Sequence, residues 1–405
     1  MKKKIVIIST TYPYGSHETF LENEIKYLSE FFDIHVIPLI NEKKNDEVRD
    51  VPNNVSYSPP ILNKNHLKRF ISGVFNLSPL FQFFPELINI FRNSKKLKVC
   101  LYRWYNDLLI YRALLANRQF VDCLNSPSIN AIYFFWGMAP AFLLKTKKNI
   151  FIRVHGGEIY EDRNFGYITF KNLKFISRTN IIYLPVSEKC KTELLKVSPN
   201  LSIQINRLGV YNKGLNPMSL GENKIRLVSC STLIPLKRVH LIFEAIYKIE
   251  NLNIEWIHFG DGPLLEDLKQ KVSTINNNNI SIYLKGREAN DIILKYYSEV
   301  PIDLFINVSE TEGVPVSIME ALSFGIPCFA TDVGGTAELI DNNVGKIVKK
   351  DFDSNELSQF VFNLKNKKNA NILRDNARKR WEMYSNAIVN YSNLVDILNS
   401  KNGNK

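Results

Sequence analysis

The stretch Asn307-Val308-Ser309-Glu310-Thr311-Glu312-Gly313-Val314-Pro315-Val316-Ser317-Ile318-Met319-Glu320-Ala321-Leu322 decides how this chain reads. The apolar run Leu304–Val308 predicts a buried strand. Proline is tolerated at a first helical position, so a helix is expected to begin near Pro315. That order places a helix N-terminus at the C-terminal edge of a sheet, where doubly wound domains bind ligands. Free amides and the helix dipole there suit a phosphate, and Gly313, Val314 and Val316 can donate where Pro315 cannot. Glu312 at the loop tip and Glu320 about two turns along the helix suit sugar hydroxyls better than phosphate. The plainer alternative is a capping Glu312 and a solvated Glu320.

Working outward, the same grammar recurs. Ile225–Cys230, Ile254–Phe259, Ile280–Leu284 and Pro327–Ala330 are short apolar runs, each followed by a plausible helix, which predicts a second doubly wound domain. Ser229-Cys230-Ser231-Thr232-Leu233-Ile234-Pro235-Leu236-Lys237-Arg238 follows one such strand. Lys237 and Arg238 there can neutralise a diphosphate, and more strongly when it departs as a leaving group; a surface Lys-Arg pair is the alternative. Gly260 in Phe259-Gly260-Asp261-Gly262-Pro263 lets backbone approach a ligand, although many strand–helix turns are glycine-rich.

In the first half, Ile5–Ile8, Ile34–Ile40, Ala131–Trp136, Ile150–Val154 and Ile181–Val186 read as strands buried on both faces. Leu21, Ile25, Leu28 and Phe32 keep the spacing of one helical stripe, so the start is a strand–helix–strand unit of a parallel sheet. Arg153-Val154-His155-Gly156-Gly157-Glu158 ends another strand; His155 is either a satisfied structural residue or a functional one. Asn206–Asn223, with Gly209, Gly214, Pro217 and Gly221, is the natural linker.

Bulk properties bound the function. With 405 residues and 45% hydrophobic content the chain supports two domains, and its formal charge of +12 suggests an anionic partner. Between Ile61 and Phe120, ten Lys/Arg face only Glu86 and Asp107, a net of +8. Residues 64–118 carry three amphipathic periods, read as helices inserted in the first domain that cover the sheet or also rest on an anionic bilayer. The apolar stretch Phe70–Phe91 is interrupted by Asn76, Pro79, Gln82, Pro85 and Asn89, against a spanning helix. Cys100, Cys123, Cys190, Cys230 and Cys328 are scattered, without C-x-x-C, so neither a zinc site nor a disulfide framework is implied. Met1–Ile8 is too short an apolar run for a signal peptide. A reducing cytoplasm is expected.

These motifs in order resemble the retaining family 4 glycosyltransferases of the GT-B fold, whose signature is a Glu, seven residues and a Glu, here Glu312–Glu320. Ser231-x-x-x-Pro235-x-Lys237, Gly260-Asp261-Gly262-Pro263, Tyr296-Tyr297-Ser298, and Gly325-Ile326-Pro327 running to Val333-Gly334-Gly335-Thr336-Ala337-Glu338 agree. The match is dense over residues 225–345 and looser earlier, through Glu18-Thr19-Phe20 with Glu24-Ile25 and through Arg153-x-His155-Gly156.

The resemblance implies an α/β GT-B chain of two Rossmann-like doubly wound domains facing across a cleft. Residues 1–210 form the acceptor-binding domain and residues 211–373 the nucleotide-sugar domain. The helical segment near residues 374–400 packs back on the first. It implies that Glu312 contacts donor sugar hydroxyls, Glu320 the ribose and Lys237 the diphosphate. His155 would stand beside the donor sugar and the bond being exchanged. Arg238, Gly260, Gly313, Val314, Val316 and Arg287 complete the donor side, and Gly15, Glu18, Arg153 and Glu158 the acceptor side. The family commonly has an Arg where this chain has Thr232, five residues before Lys237, and Arg238 is expected to compensate.

The expected activity is retaining hexosyl transfer from a UDP- or GDP-sugar to a glycan, expected to be a lipid-linked oligosaccharide of a bacterial surface polysaccharide. No cofactor or metal is expected, and the enzyme is placed in the cytoplasm, peripheral on the inner membrane face. A sugar-nucleotide epimerase or a phosphorylase of the same fold is the alternative enzyme. A basic nucleic-acid-binding protein is disfavoured because the positive cluster shows helical amphipathicity rather than a binding module. Neither half has G-x-G-x-x-G after its first strand, against a nicotinamide oxidoreductase.

Overall fold

The computed structural model describes residues 2–15, 18–41, 48–62, 80–138, 141, 144–160, 178–218, 224–250 and 252–400. They form two compact units, one of residues 1–207 with 391–405 and one of 208–390. Each is built on one parallel sheet, so each is a Rossmann-like α/β domain.

The first unit contains β1 (Lys3–Ser9), β2 (Phe32–Pro38), β3 (Val55–Tyr57), β4 (Ile129–Phe134), β5 (Asn149–Val154), β6 (Ile181–Pro185) and β7 (Ser202–Ile203), ordered β3-β2-β1-β4-β5-β6-β7. Ile5, Val6, Ile7 and Ile8 are all sealed from solvent, as an unbroken β-branched run in a central parallel strand requires. The chain runs outward from β1 to β3 and returns to start again at β4, so the strand order reverses between β1 and β4. Helix Thr19–Leu28 turns Leu21, Ile25 and Leu28 into this core. Phe32, expected on the helical stripe, instead opens β2 and enters the same core. Its spacing matched the helix by coincidence of period.

Of the three inserted helices, the stretch containing Leu67–Phe75 lies outside the described residues. Helices Leu80–Asn93 and Leu97–Ala116 form as read, and a further helix, Arg118–Asn125, is capped by the Asn117 side chain accepting from the Phe120 amide. Pro85, read as a break, lies within the first of these. Among the described residues no helix is long and apolar enough to cross a membrane.

The second unit orders β8 (Lys224–Cys230), β9 (Asn253–Phe259), β10 (Ile280–Gly286), β11 (Leu304–Asn307), β12 (Cys328–Thr331) and β13 (Gly345–Val348) as β10-β9-β8-β11-β12-β13. The reversal here falls between β8 and β11. Trp256, Leu227, Leu304, Ile306 and Phe329 fill its core together with helix His240–Tyr247. The C-terminal stretch, read as one helix, is two: Lys367–Tyr384 and Ala387–Asn399. The first packs on helix Val316–Ser323 within the second unit, so only residues from Tyr391 onward join the first.

Candidate functional site

In the second unit, the loops after β8 and β11 flank the point where the strand order reverses, which opens a crevice at the strands' C-terminal ends. The β8 loop ends in a 3-10 turn, Pro235–Lys237. It is stitched to both neighbours: the Ser231 amide donates to the Phe259 carbonyl, the Leu233 amide to Asp261, and the Glu310 amide to the Leu236 carbonyl. This fixes the base of Lys237. Its ammonium lies 2.5 Å from Oε1 of Glu312, with side chains 21% and 12% exposed. Asn307 Nδ2 donates to the same oxygen at 3.3 Å. Cation and carboxylate therefore share one place.

Helix Val316–Ser323 begins beside that pair. Pro315 is its N-cap rather than its first helical residue, and no side chain caps it. The Ile318 amide donates to the Pro315 carbonyl at 3.2 Å, which leaves the Val316 and Ser317 amides as the helix start's donors without an intrahelical partner. Gly313 has a second task, since its carbonyl accepts from the Gly335 amide at 2.6 Å. Gly334, at φ +60°, packs so closely that a Cβ would stand 2.0 Å from the Glu312 carbonyl oxygen. The Val333-Gly334-Gly335 motif is the buttress of the Glu312 loop.

Glu320 accepts from Asn290 Nδ2 at 2.8 Å, and burial pushes its carboxyl up to about 7. Burial chiefly, with Glu320 next, also raises the Cys230 thiol to about 12, while Lys237 opposes this. Those three groups are therefore neighbours at the end of β8. Gly260, at φ +145°, is needed because a Cβ would meet the Ser231 carbonyl oxygen at 1.8 Å; it joins the loops after β8 and β9. Arg287 is exposed just past β10, two strands away from β8, and is not brought to the pair.

Arg238 departs from expectation. It adopts the left-handed region, φ 48°, and its guanidinium donates to the carbonyls of Val308, Ser309 and Lys350. Those bonds tie the ends of β11 and β13 together. In this role it is a clamp of the loop.

The first unit repeats the arrangement between β1 and β4 with different chemistry. Arg153, expected on the acceptor side, is fully buried: it pairs with Glu24 at 2.7 Å and donates to Tyr133 Oη and Asn206 Oδ1. Alternation along β5 points it into the core. Glu158, likewise expected to meet the acceptor, turns back to accept from the His155 and Gly137 amides, and burial pushes it up to about 8. Glu18 accepts from the Thr10, Thr11 and Tyr12 amides, the Thr11 hydroxyl and the Trp136 indole. Gly15, at φ 72°, offers its carbonyl to Arg49.

His155 hydrogen-bonds through Nε2 to the Phe135 carbonyl at 3.1 Å, and its ring lies 4.5 Å from that of Trp136. Burial, helped by Arg153, lowers its pKa to about 3, so the ring is neutral at physiological pH. Trp136 and Asn290 escaped the sequence reading. Trp136 was absorbed into an apolar run read as strand, and Asn290 sits in no motif.

Residues 216–380 match the family model of the group 1 glycosyl transferases. The amylovoran biosynthesis glycosyltransferase AmsK of Erwinia amylovora is 26% identical over 231 residues, covering 54% of this chain and 56% of that protein. An Escherichia coli UDP-Gal:alpha-D-GlcNAc-diphosphoundecaprenol alpha-1,3-galactosyltransferase is 31% identical over 184 residues, 44% of each chain. The chain thus spans about half the length of the curated relatives it matches. Anabaena Alr3699/HepE, solved in complex with UDP and glucose, superposes with a TM-score of 0.61 at 16% identity, over 98% of this chain and 100% of that one.

Proposed function

We propose that this chain is a retaining glycosyltransferase that moves a hexose-type sugar from a nucleoside-diphosphate sugar to a glycan acceptor in bacterial surface-polysaccharide synthesis. The observation that carries the reading is the 2.5 Å approach of Lys237 to Glu312 beside an uncapped helix N-terminus. A cation, amide donors and a carboxylate in one crevice at a strand-order reversal suit a ligand with both phosphate and hydroxyl groups. The match to the group 1 glycosyl transferases covers this unit.

In the transfer, the acceptor hydroxyl oxygen bonds to the anomeric carbon as the carbon–oxygen bond to the diphosphate breaks on the same face. The hydroxyl proton passes to the departing diphosphate. Lys237 and the amides of the Glu312 loop stabilise that anion, while Glu312 holds sugar hydroxyls and Glu320 the ribose. His155 serves as a neutral hydrogen-bonding group. Charge on the leaving group is met by Lys237, and the reaction runs without a metal ion.

The acceptor is lipid-linked and the enzyme works at the inner face of the cytoplasmic membrane. Supporting this, Phe84, Ile88 and Phe91 are 57%, 43% and 63% exposed at helical spacing on Leu80–Asn93, followed by exposed Arg92, Lys95, Lys96 and Lys98. Large apolar side chains beside cations fit an anionic bilayer surface.

Thermal stabilisation by a panel of UDP- and GDP-sugars tests the donor. One nucleotide series is expected to raise Tm in the wild type and to lose that effect in Lys237→Ala. Absence of stabilisation by every member overturns the reading.

A further inference from the structure

We propose that Glu18 is a built-in anion: its carboxylate fills the crevice of the first unit where the strand order reverses, and through Trp136 it positions His155. The geometry is specific. Glu18 follows β1 and Trp136 follows β4, the two strands between which this sheet's order turns. Such a crevice is where a doubly wound sheet ordinarily takes an anion. Here the Thr10, Thr11 and Tyr12 amides converge at 2.9, 2.7 and 2.8 Å on the Glu18 carboxylate, with the Thr11 hydroxyl at 3.1 Å. The indole Nε1 of Trp136 donates to it at 2.6 Å. Five donors on one carboxylate complete an oxyanion's demand, and none of them is left for a phosphate.

The backbone shows what holding the group there requires. Glu18 takes φ 59°, a left-handed conformation that a residue with a Cβ rarely adopts and that persists only where its surroundings over-determine it. The bonds to the β1 loop supply that determination. From the other side, Glu158 accepts from the Gly137 amide at 3.1 Å and from the His155 amide. Trp136 and Gly137 are therefore pinned by two carboxylates from two different turns. The indole held this way lies against the His155 imidazole, ring centroids 4.5 Å apart and planes at 38°. Glu18 touches no reacting atom; it sets where the imidazole stands. The inference rests on the proposed function only for the role of His155.

The test uses Glu18→Gly, in which glycine accepts the left-handed backbone and leaves a carboxylate-sized space, alongside Glu18→Gln and Trp136→Phe. Tryptophan emission is recorded first, with Trp136→Phe identifying the Trp136 component among the four tryptophans. Glu18→Gly is expected to shift that component, and added formate or acetate to reverse the shift saturably while chloride does not. In the transfer assay the same variant is expected to lose about 100-fold in kcat, as for a misplacement near an ångström, with the donor KM little changed. Formate should restore kcat along the same titration curve, and Trp136→Phe should reproduce part of the loss. Unaltered Trp136 emission in Glu18→Gly, or emission that formate does not move, overturns the proposal. Emission that follows formate while the wild type transfers no sugar supports the built-in anion and overturns the functional reading instead.

Discussion

The Lys237 ammonium stands 2.5 Å from the Glu312 carboxylate, and the residues that bring them together belong to two loops separated in sequence by three strands and their helices. In the protein without ligand, each neutralises the other in a half-dry crevice. On the proposed reading, a diphosphate entering there would take over the cation and leave the carboxylate to hydroxyls. Lys237→Met is expected to lower kcat about 100- to 1,000-fold, the usual cost of removing one stabiliser of a developing anion. It should also lower Tm, because Glu312 keeps its burial and loses its partner. Adding Glu312→Gln to that variant should recover part of the Tm and none of the activity. Paired thermal melts and single-turnover rates measure both; equal activity in Lys237→Met and wild type refutes the assignment.

A second expectation concerns pH. Burial holds the Glu320 carboxyl at about 7 against an ordinary 4.5. A carboxyl raised on folding favours the native state while protonated in it, so its contribution is complete below about 4.5 and is lost as pH rises toward 7. Glu158, pushed to about 8 by burial, acts in the same direction over a slightly higher range. His155, held at about 3, and His258, held at about 4, act in the opposite sense below about pH 6.5, where the unfolded imidazoles take protons, so denaturant unfolding is expected to show stability falling chiefly from about pH 6.5 to 8. Glu320→Gln should flatten the portion of that fall below about pH 7. An identical slope in the variant would remove Glu320 as its source.

Arg153 and Glu24 form an ion pair whose side chains are 0% and 1% exposed. Breaking such a pair by deleting one partner strands the other charge in the core, at about 3–5 kcal/mol. Arg153→Met is expected to lose stability of that order, and Glu24→Gln at least as much, because the Arg153 guanidinium stays charged in the core even though the amide still meets Tyr133. The double variant should recover much of it. Chemical denaturation of the four proteins reads this directly, and an unaltered midpoint for Arg153→Met would contradict the geometry.

How much of this was legible in the sequence follows from what sequence encodes. Runs such as Ile5–Ile8 and Ile225–Cys230 announce central strands because burial on both faces demands unbroken apolar character. The edge strands Val55–Tyr57 and Ser202–Ile203 are too short and too polar to stand out. Lys237 and Glu312 could be placed because each directly follows a strand, which fixes position at a sheet edge. Side-chain direction has no such marker. Arg153 faces the core, and Arg238 turns toward the carbonyls at the ends of β11 and β13, although both sit at the expected edge. The Glu18–Trp136 bond spans 118 positions and joins two residue types that form no recognised motif.

Gly334 gives the last test, since it links the buttress to the site without touching any proposed ligand. Its φ of +60° disfavours alanine, and the added Cβ would lie 2.0 Å from the Glu312 carbonyl oxygen and 2.7 Å from that of Gly313. Backbone cannot yield as a flexible side chain can, so Gly334→Ala must push the Glu312 loop away or break the Gly335–Gly313 hydrogen bond. Displacing the loop moves the Glu312 carboxylate and the amides at the helix start together. Nucleotide affinity and kcat should therefore both fall, by about 100-fold in kcat for a displacement near an ångström, while far-ultraviolet dichroism stays native. Gly214→Ala, at φ +113° with open space around its Cβ, carries backbone strain outside the site and serves as the control. It should lose stability and leave nucleotide affinity as it is. Equal affinity losses in the two variants would show that strain alone, rather than the contact with Glu312, accounts for the effect.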